Sequence, residues 1–207
     1  MSASVELRTG LRPMLVVVGV AAGLSSGAAL VATITLGWSL ALSTAFIAVP
    51  ALVAVGALSS TARREQQDLF LNRVRTGAVA GVLATAGYDA IRVVLEQAGL
   101  AVGKSFLAIP LFGTGLTGLP PSDPVAVAAG WAFHAVNGVG FAIAYTLIAA
   151  GKAWWWGIVF ALFLEGMMVT LYPGWLRGPL TTEFLTLSVS GHFIYGSILG
   201  VLARRAP

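Results

Sequence analysis

Residues 75–97 read RTGAVAGVLATAGYDAIRVVLEQ, which is apolar and long enough to span a bilayer yet carries ionisable side chains near its middle. Asp89 and Arg92 lie three residues apart, so a helix places them on one face. An ionisable group at mid-bilayer costs about 2.5–3.5 kcal/mol on insertion scales, so such groups turn toward partners or a water-filled cavity. Small residues at four-residue intervals lead up to Asp89, namely Gly77, Gly81 and Thr85. Because membrane helices pack closely along such stripes, we expect Asp89 to point into a helical bundle.

The composition identifies a membrane protein. The chain has 207 residues, of which 57% are hydrophobic and only 10% charged, and its mean hydropathy is +0.89. A soluble domain carries about 25% charged residues. The length fits a single transmembrane domain over residues 1–207, with no separate soluble domain. The absence of cysteine excludes disulfides, thiolate metal ligands and cysteine nucleophiles.

The pattern of apolar segments predicts an all-α fold, a polytopic bundle of six transmembrane helices. The six segments cover residues 14–35, 38–58, 75–98, 125–149, 154–172 and 183–202. Asp123 is suited to cap the fourth helix, with Pro124 as its first residue. Residues 59–73 are strongly polar and are expected to lie in water. Residues 99–122 are apolar but rich in glycine and proline, so we expect them to lie in the interface, re-enter the membrane or cover the bundle.

Basic residues are distributed unequally between the two sides of these segments, which sets the orientation by the positive-inside rule. Nine lie on one side, namely Arg8, Arg12, Arg63, Arg64, Arg73, Arg75, Lys152, Arg204 and Arg205. Lys104 and Arg177 lie on the other side, and Arg92 lies within the membrane. We therefore expect a multi-pass protein with both termini in the cytoplasm. The net charge of +4 reflects this topology, so no nucleic-acid partner is expected.

Four of the predicted helices each carry one ionisable residue near mid-span on a stripe of small residues. These residues are Asp89, His134, Glu165 and His192. Counted along each helix at 1.5 Å per residue, they lie within about 5 Å of one plane. We therefore expect them to face a common interior. Further polar residues lie near enough to join this network and bind a substrate: Tyr88, Arg92, Asn137 and Tyr195.

Three chemistries fit this constellation. The first is a proton or ion relay within a solute pathway, in which the carboxylates of Asp89 and Glu165 take up and release the proton or ion. The second is ligation of a metal ion by His134, His192, Glu165 and Asp89, or of a haem by the two histidines. The third is acid–base catalysis on a lipid-like substrate, with Glu165 or Asp89 as base and Arg92 holding an anionic head group. In the structural alternative, Asp89 and Arg92 form a buried ion pair and the histidines bond backbone carbonyls.

The interpretation we favour is a membrane protein that binds or translocates a small solute or proton through this polar site. The alternatives are a metal- or haem-binding membrane enzyme or electron-transfer subunit, and a non-catalytic subunit of a membrane complex. The expected partners are the lipid bilayer, a small molecule or ion, and either a second copy of the chain or another membrane subunit. No Walker, Gly-x-Ser-x-Gly or dinucleotide-binding motif is present, so the sequence leaves enzymatic activity and cofactor open.

Three runs of sequence carry a family resemblance. They are AGVLATAGYDAIR (residues 80–92), HAVNGVGFAIAY (134–145) and GHFIYGSILG (191–200). They resemble the small uncharacterised bacterial inner-membrane proteins of the YagU-like kind. The resemblance covers the third to sixth predicted helices and implies a location in the inner membrane rather than an activity.

Overall fold

The computed structural model describes residues 11–100, 105–176 and 181–207. Within them the chain forms α-helices and no strand, which confirms the predicted all-α class. The helices are α1 (Pro13–Leu36), α2 (Leu40–Ser60), α3 (Arg64–Gln97), α4 (Ala108–Thr117), α5 (Pro124–Ala149), α6 (Trp155–Leu176) and α7 (Thr182–Ala203). Five of them, α1, α2, α3, α5 and α7, are long and apolar enough to cross a membrane. Trp155–Leu171, the part of α6 with described side chains, is apolar but shorter.

Side-chain caps fix the starts of three helices. The Asp123 carboxylate accepts a hydrogen bond from the backbone N–H of Val125 at 2.8 Å, and Pro124 begins α5, as predicted. The hydroxyls of Ser39 and Thr181 cap α2 and α7 in the same way. These caps satisfy backbone donors that have no partner inside the helix, so each helix begins at a defined residue.

Five helices form a ring around a central cavity, in the order α1, α5, α3, α7 and α6. The short helix α4 packs on α5, while α2 packs on the outside of α1. Within the described residues α1 and α6 contact each other only sparsely, so their seam is the loosest in the ring. The polar residues of α3, α5 and α7 therefore share one interior with the apolar faces of α1 and α6.

Glycines allow the ring helices to touch backbone to backbone. A Cβ on Gly77 or Gly81 of α3 would come within 2.7 Å of a Cα atom of α5. Gly23 of α1 faces Gly140 of α5 in the same manner, and Gly157 of α6 faces the backbone of α7. The stripes of small residues are therefore packing surfaces, and they turn the residues that continue each stripe toward the neighbouring helix.

Contacts at one end of the bundle join segments that are distant in sequence. The backbone N–H of Arg12 donates to Oε1 of Gln66 at 2.8 Å. Arg73 donates from Nε to the carbonyl of Pro207 at 2.6 Å and from Nη1 to the carbonyl of Leu147 at 3.3 Å. The starts of α1 and α3, the end of α5 and the C-terminus therefore lie at the same end. Arg8, Lys104 and Arg177, which contributed to the predicted charge count, lie outside the described residues.

Two segments differ from the prediction. Helix α3 begins at Arg64 and not at residue 75. Phe70 is buried against Leu15 and Leu147, and this packing stabilises the helical conformation of the polar residues before residue 75. Residues 99–122, for which the sequence left an interfacial, a re-entrant and a covering position open, contain the helix α4. Its Pro110 lies in the first turn, where no intrahelical N–H is required, and Gly118 ends the helix with φ of 73°.

Candidate functional site

His134 of α5 and Asp89 of α3 form the first polar pair of the interior. Nε2 of His134 lies 3.0 Å from Oδ1 and 3.3 Å from Oδ2 of Asp89. The two side chains are 17% and 23% exposed, so the pair is neither fully buried nor free in solvent. An ionised carboxylate accepts hydrogen bonds only, so this contact places the imidazole proton on Nε2 and leaves Nδ1 as an acceptor.

His192 of α7 and Glu165 of α6 form a second pair. Nδ1 of His192 lies 2.8 Å from Oε2 of Glu165 and 2.9 Å from the carbonyl oxygen of Ser188. Because both neighbours are acceptors, Nδ1 carries the proton. The Ser188 hydroxyl donates to the same Oε2 at 2.8 Å. Glu165 therefore lies within hydrogen-bonding distance of both His192 and Ser188.

Both histidines line a cavity of about 340 Å³, whereas Asp89 and Glu165 lie behind them, outside its lining. The second ring nitrogens, Nδ1 of His134 and Nε2 of His192, have no hydrogen-bond partner among the described residues. A carboxylate behind an imidazole fixes its orientation and stabilises its protonated form. The site thus presents two oriented imidazoles that can accept a proton from the cavity.

Tyr88 of α3 contacts both imidazoles. Its ring centroid lies 5.9 Å from that of His134 and 5.0 Å from that of His192, with an edge-on contact to the latter. Gly191 of α7 makes room for it, since a Cβ there would come within 2.7 Å of the tyrosine ring. Tyr88 therefore links the two histidines through ring contacts.

Arg92 also lines the cavity, but it does not pair with Asp89 as the sequence suggested. Its Nη1 donates to the Tyr88 hydroxyl at 3.2 Å, and its guanidinium lies 5.0 Å from the Tyr88 ring and 5.3 Å from the Phe106 ring. Within the described chain no carboxylate forms an ion pair with it, and its Nε is buried without a hydrogen-bond partner. The ion pair of the structural alternative is not formed, because Asp89 turns to His134 across the helix interface and Arg92 is left with aromatic neighbours.

Asn137 and Tyr195, the remaining predicted binding residues, both reach the cavity. The Tyr195 hydroxyl donates to the carbonyl of Gly138 at 2.6 Å, a bond that joins α7 to α5. Oδ1 of Asn137 accepts from the Ser26 hydroxyl at 2.7 Å, which leaves its amide N–H groups available to a ligand. The Tyr195 hydroxyl is thus hydrogen-bonded between two helices, while the amide N–H groups of Asn137 can donate to a ligand in the cavity.

Two further residues, Phe106 and Ser105, contribute to the site without a signal in the sequence. Phe106 precedes α4 and covers Arg92 and Trp131, with its ring centroid 5.0 Å from that of Trp131. Ser105 beside it is buried and its hydroxyl donates to Glu96 at the end of α3. Nothing in the local pattern of residues 99–122 distinguishes these side chains, because their role depends on how that segment folds back over α3 and α5.

The predicted metal ligands do not converge. Asp89 with His134 and Glu165 with His192 remain two separate pairs, and the described residues contain no group of three or more His, Asp or Glu side chains that could hold a metal ion. Ligation of a haem by the two histidines stays a prediction.

No family model, curated protein or solved structure matches the chain. The resemblance to YagU-like proteins therefore stays a prediction, and function must be argued from the site.

Proposed function

We propose that the protein binds a small solute in its central cavity and couples the binding or passage of that solute to proton uptake by two His–carboxylate pairs. The observation that carries this proposal is the position of both imidazoles in the cavity wall, each with a carboxylate behind it. Histidine is the side chain whose charge changes most readily near neutral pH. A carboxylate partner stabilises the imidazolium and so allows protonation away from bulk water.

Protonation changes the charge of the site in defined steps. When Arg92, Asp89 and Glu165 are ionised and both histidines are neutral, the charges of Arg92 and the two His–carboxylate pairs sum to −1. Uptake of one proton by each of His134 and His192 adds +2 and gives +1. The tyrosine hydroxyls facing the site, on Tyr88 and Tyr195, are neutral throughout this range. An anionic solute is therefore held more strongly by the protonated form, and its release is favoured when the protons leave.

The proposal includes a six-span topology in a bacterial inner membrane, with α6 as the sixth span and both termini in the cytoplasm. Helix α6 has 22 residues over Trp155–Leu176, about 33 Å at 1.5 Å per residue, which is enough to cross the hydrocarbon core. The basic side chains at the end that holds Arg12, Arg73 and the C-terminus support the cytoplasmic assignment of that end.

Cysteine accessibility tests whether the cavity admits solutes from water. The chain has no cysteine, so a single substitution provides a unique thiol. Asn137→Cys replaces a cavity-lining side chain, and Val136→Cys is the matched control because Val136 is 60% exposed on the outer, lipid-facing side of the same helix. In proteoliposomes a small charged thiosulfonate reagent should modify Asn137→Cys and leave Val136→Cys unmodified.

The outcome distinguishes a solute site from a packing void. Charged reagents require water to reach a thiol, so modification at position 137 alone indicates an aqueous or solute-accessible path. If neither variant is modified while both are folded by size-exclusion chromatography, the cavity is closed to solutes and the proposed function is wrong.

A further inference from the structure

The cavity wall is divided by helix into a polar and an apolar part. Side chains of α3, α5 and α7 supply the polar groups, including Arg92, His134 and His192. The facing side chains of α1 and α6 are apolar: Leu24, Ala28, Val31, Leu164, Met167 and Leu171. An inorganic ion or a small polar solute would leave this second surface without a matching partner. A ligand with a polar head and an apolar chain would match both surfaces.

Arg92 is the cation of the polar part, and no carboxylate of the described residues lies within ion-pair distance of it. Its guanidinium lies beside the Tyr88 and Phe106 rings, and its Nε is buried without an acceptor. A cation at this depth is costly without a close counter-charge, and a guanidinium binds oxyanions through parallel hydrogen bonds. The group that Arg92 is suited to bind is therefore an oxyanion, either a carboxylate or a phosphate.

The apolar part reaches the outer surface of the bundle. Phe163 and Met167 of α6 line the cavity, yet they are 62% and 42% exposed, and Ala28 on the facing side of α1 is also exposed. These residues border the loose α1–α6 seam. In a membrane this surface contacts acyl chains, so the cavity is continuous with the hydrocarbon phase. Methionine is flexible and adapts to irregular apolar ligands.

We propose that the ligand is a single-chain amphiphile with an anionic head group. Its head lies at Arg92 beside the two histidines, and its chain leaves between α1 and α6 into the bilayer. This inference rests on the proposed function, because it names the ligand class of that same cavity. A volume of about 340 Å³ lies at the lower end of small-ligand sites, roughly 300–1,000 Å³, which favours one chain over two.

Photo-crosslinking in proteoliposomes tests the ligand class. The probe is a long-chain fatty acid with a diazirine in mid-chain, and the adducts are located by peptide mapping. We expect adducts on the α1 and α6 segments around Ala28 and Met167. Unlabelled oleate or oleyl phosphate should reduce labelling at least about tenfold, whereas oleyl alcohol at equal membrane concentration should not. Because the three competitors share one chain, the stronger of the two anions identifies the head group as carboxylate or phosphate.

Variants separate the head and chain contributions. Arg92→Gln should lower labelling about tenfold, and Arg92→Lys, which keeps the charge, should retain more of it. Ala28→Trp should block the chain path, while Ala21→Trp, on an exposed part of α1 outside the cavity lining, should not. If an Arg92 variant fails to fold, the competitor series on the unaltered protein still decides the question.

Two results would overturn the inference. Labelling that oleyl alcohol competes as well as oleate would show a generic apolar surface, and adducts spread evenly over lipid-facing helices would show no site. If either occurs while Asn137→Cys is modified as described above, the cavity binds another solute class and only the ligand assignment fails. If Asn137→Cys is also unreactive, the proposed function fails with it.

Discussion

The imidazole of His134 joins α5 to the carboxylate of Asp89 on α3, with Nε2 3.0 Å from Oδ1. The same relationship recurs between His192 on α7 and Glu165 on α6. In both cases the acid lies on one long helix and the histidine on the next long helix of the chain. This repetition gives the cavity two imidazoles that each have a carboxylate partner, and both contact the ring of Tyr88.

The first prediction concerns the energetic coupling of Asp89 and His134. A double-mutant cycle with Asp89→Asn and His134→Gln should show a coupling free energy of about 0.5–3 kcal/mol, because the side chains are in direct contact. Thermal unfolding in detergent measures the four stabilities. Asp89→Asn combined with Arg73→Gln, at the opposite end of α3, serves as the additive control. If the changes in the free energy of unfolding add in the Asp89–His134 cycle, the contact does not contribute to stability.

The second prediction concerns the proton positions on the two histidines. Nitrogen-15 NMR of labelled protein at alkaline pH should show His134 with its proton on Nε2 and His192 with its proton on Nδ1, because each proton faces oxygen acceptors. His134→Gln and His192→Gln assign the signals. In Glu165→Gln the Nδ1 proton of His192 should persist, since the Ser188 carbonyl still accepts it. The same tautomer at both positions would contradict the geometry.

The third prediction compares two glycines of α6. Gly157→Ala should destabilise the protein by about 1–3 kcal/mol, because its Cβ would lie 2.6 Å from the Gly200 nitrogen on α7. Gly166→Ala is the matched control, since no atom lies within 4 Å of a Cβ at that position. It should be neutral or slightly stabilising through helix propensity. Equal melting temperatures for the two variants would refute close packing of α6 on α7.

The sequence predicted which residues point inward better than it predicted their partners. Stripes of glycine ending at Asp89 or flanking His134 indicate a helix interface, and the structure places both residues there. Whether Asp89 bonds Arg92 on its own helix or His134 on the next depends on side-chain direction and on helix rotation. Four-residue spacing carries no information about either, so the sequence could not decide between the two partners.

Helix boundaries failed where tertiary contacts override local composition. The polar residues before residue 75 look like a loop, yet Phe70 packs into a cluster with Leu15 and Leu147 and extends α3. Helix α4 contains two glycines that weaken a helix in isolation. Gly113 is required there because it lies directly against the backbone of Ala126 on α5, and packing stabilises the helix.

The fourth prediction concerns topology. On intact cells an impermeant maleimide should label Ser122→Cys, which lies before α5, and should not label Lys152→Cys, which lies between α5 and α6. Both positions are exposed, and lysis should make Lys152→Cys reactive. A reporter that is active only in the cytoplasm should be active when it is fused after Pro207. Labelling with the opposite preference would invert the proposed orientation.

The central claim is that the histidines take up protons and raise the affinity of the cavity for anions. Its most direct test is the ratio of the modification rates of Asn137→Cys by an anionic and a cationic thiosulfonate reagent. The ionisation of the introduced thiol changes both rates by the same factor, so its effect cancels in the ratio. It should rise as the pH falls through the range in which histidine takes up protons, because the site charge changes from −1 to +1. In the background of His134→Gln with His192→Gln the ratio should be flat. A ratio that is independent of pH with both histidines present would contradict the account.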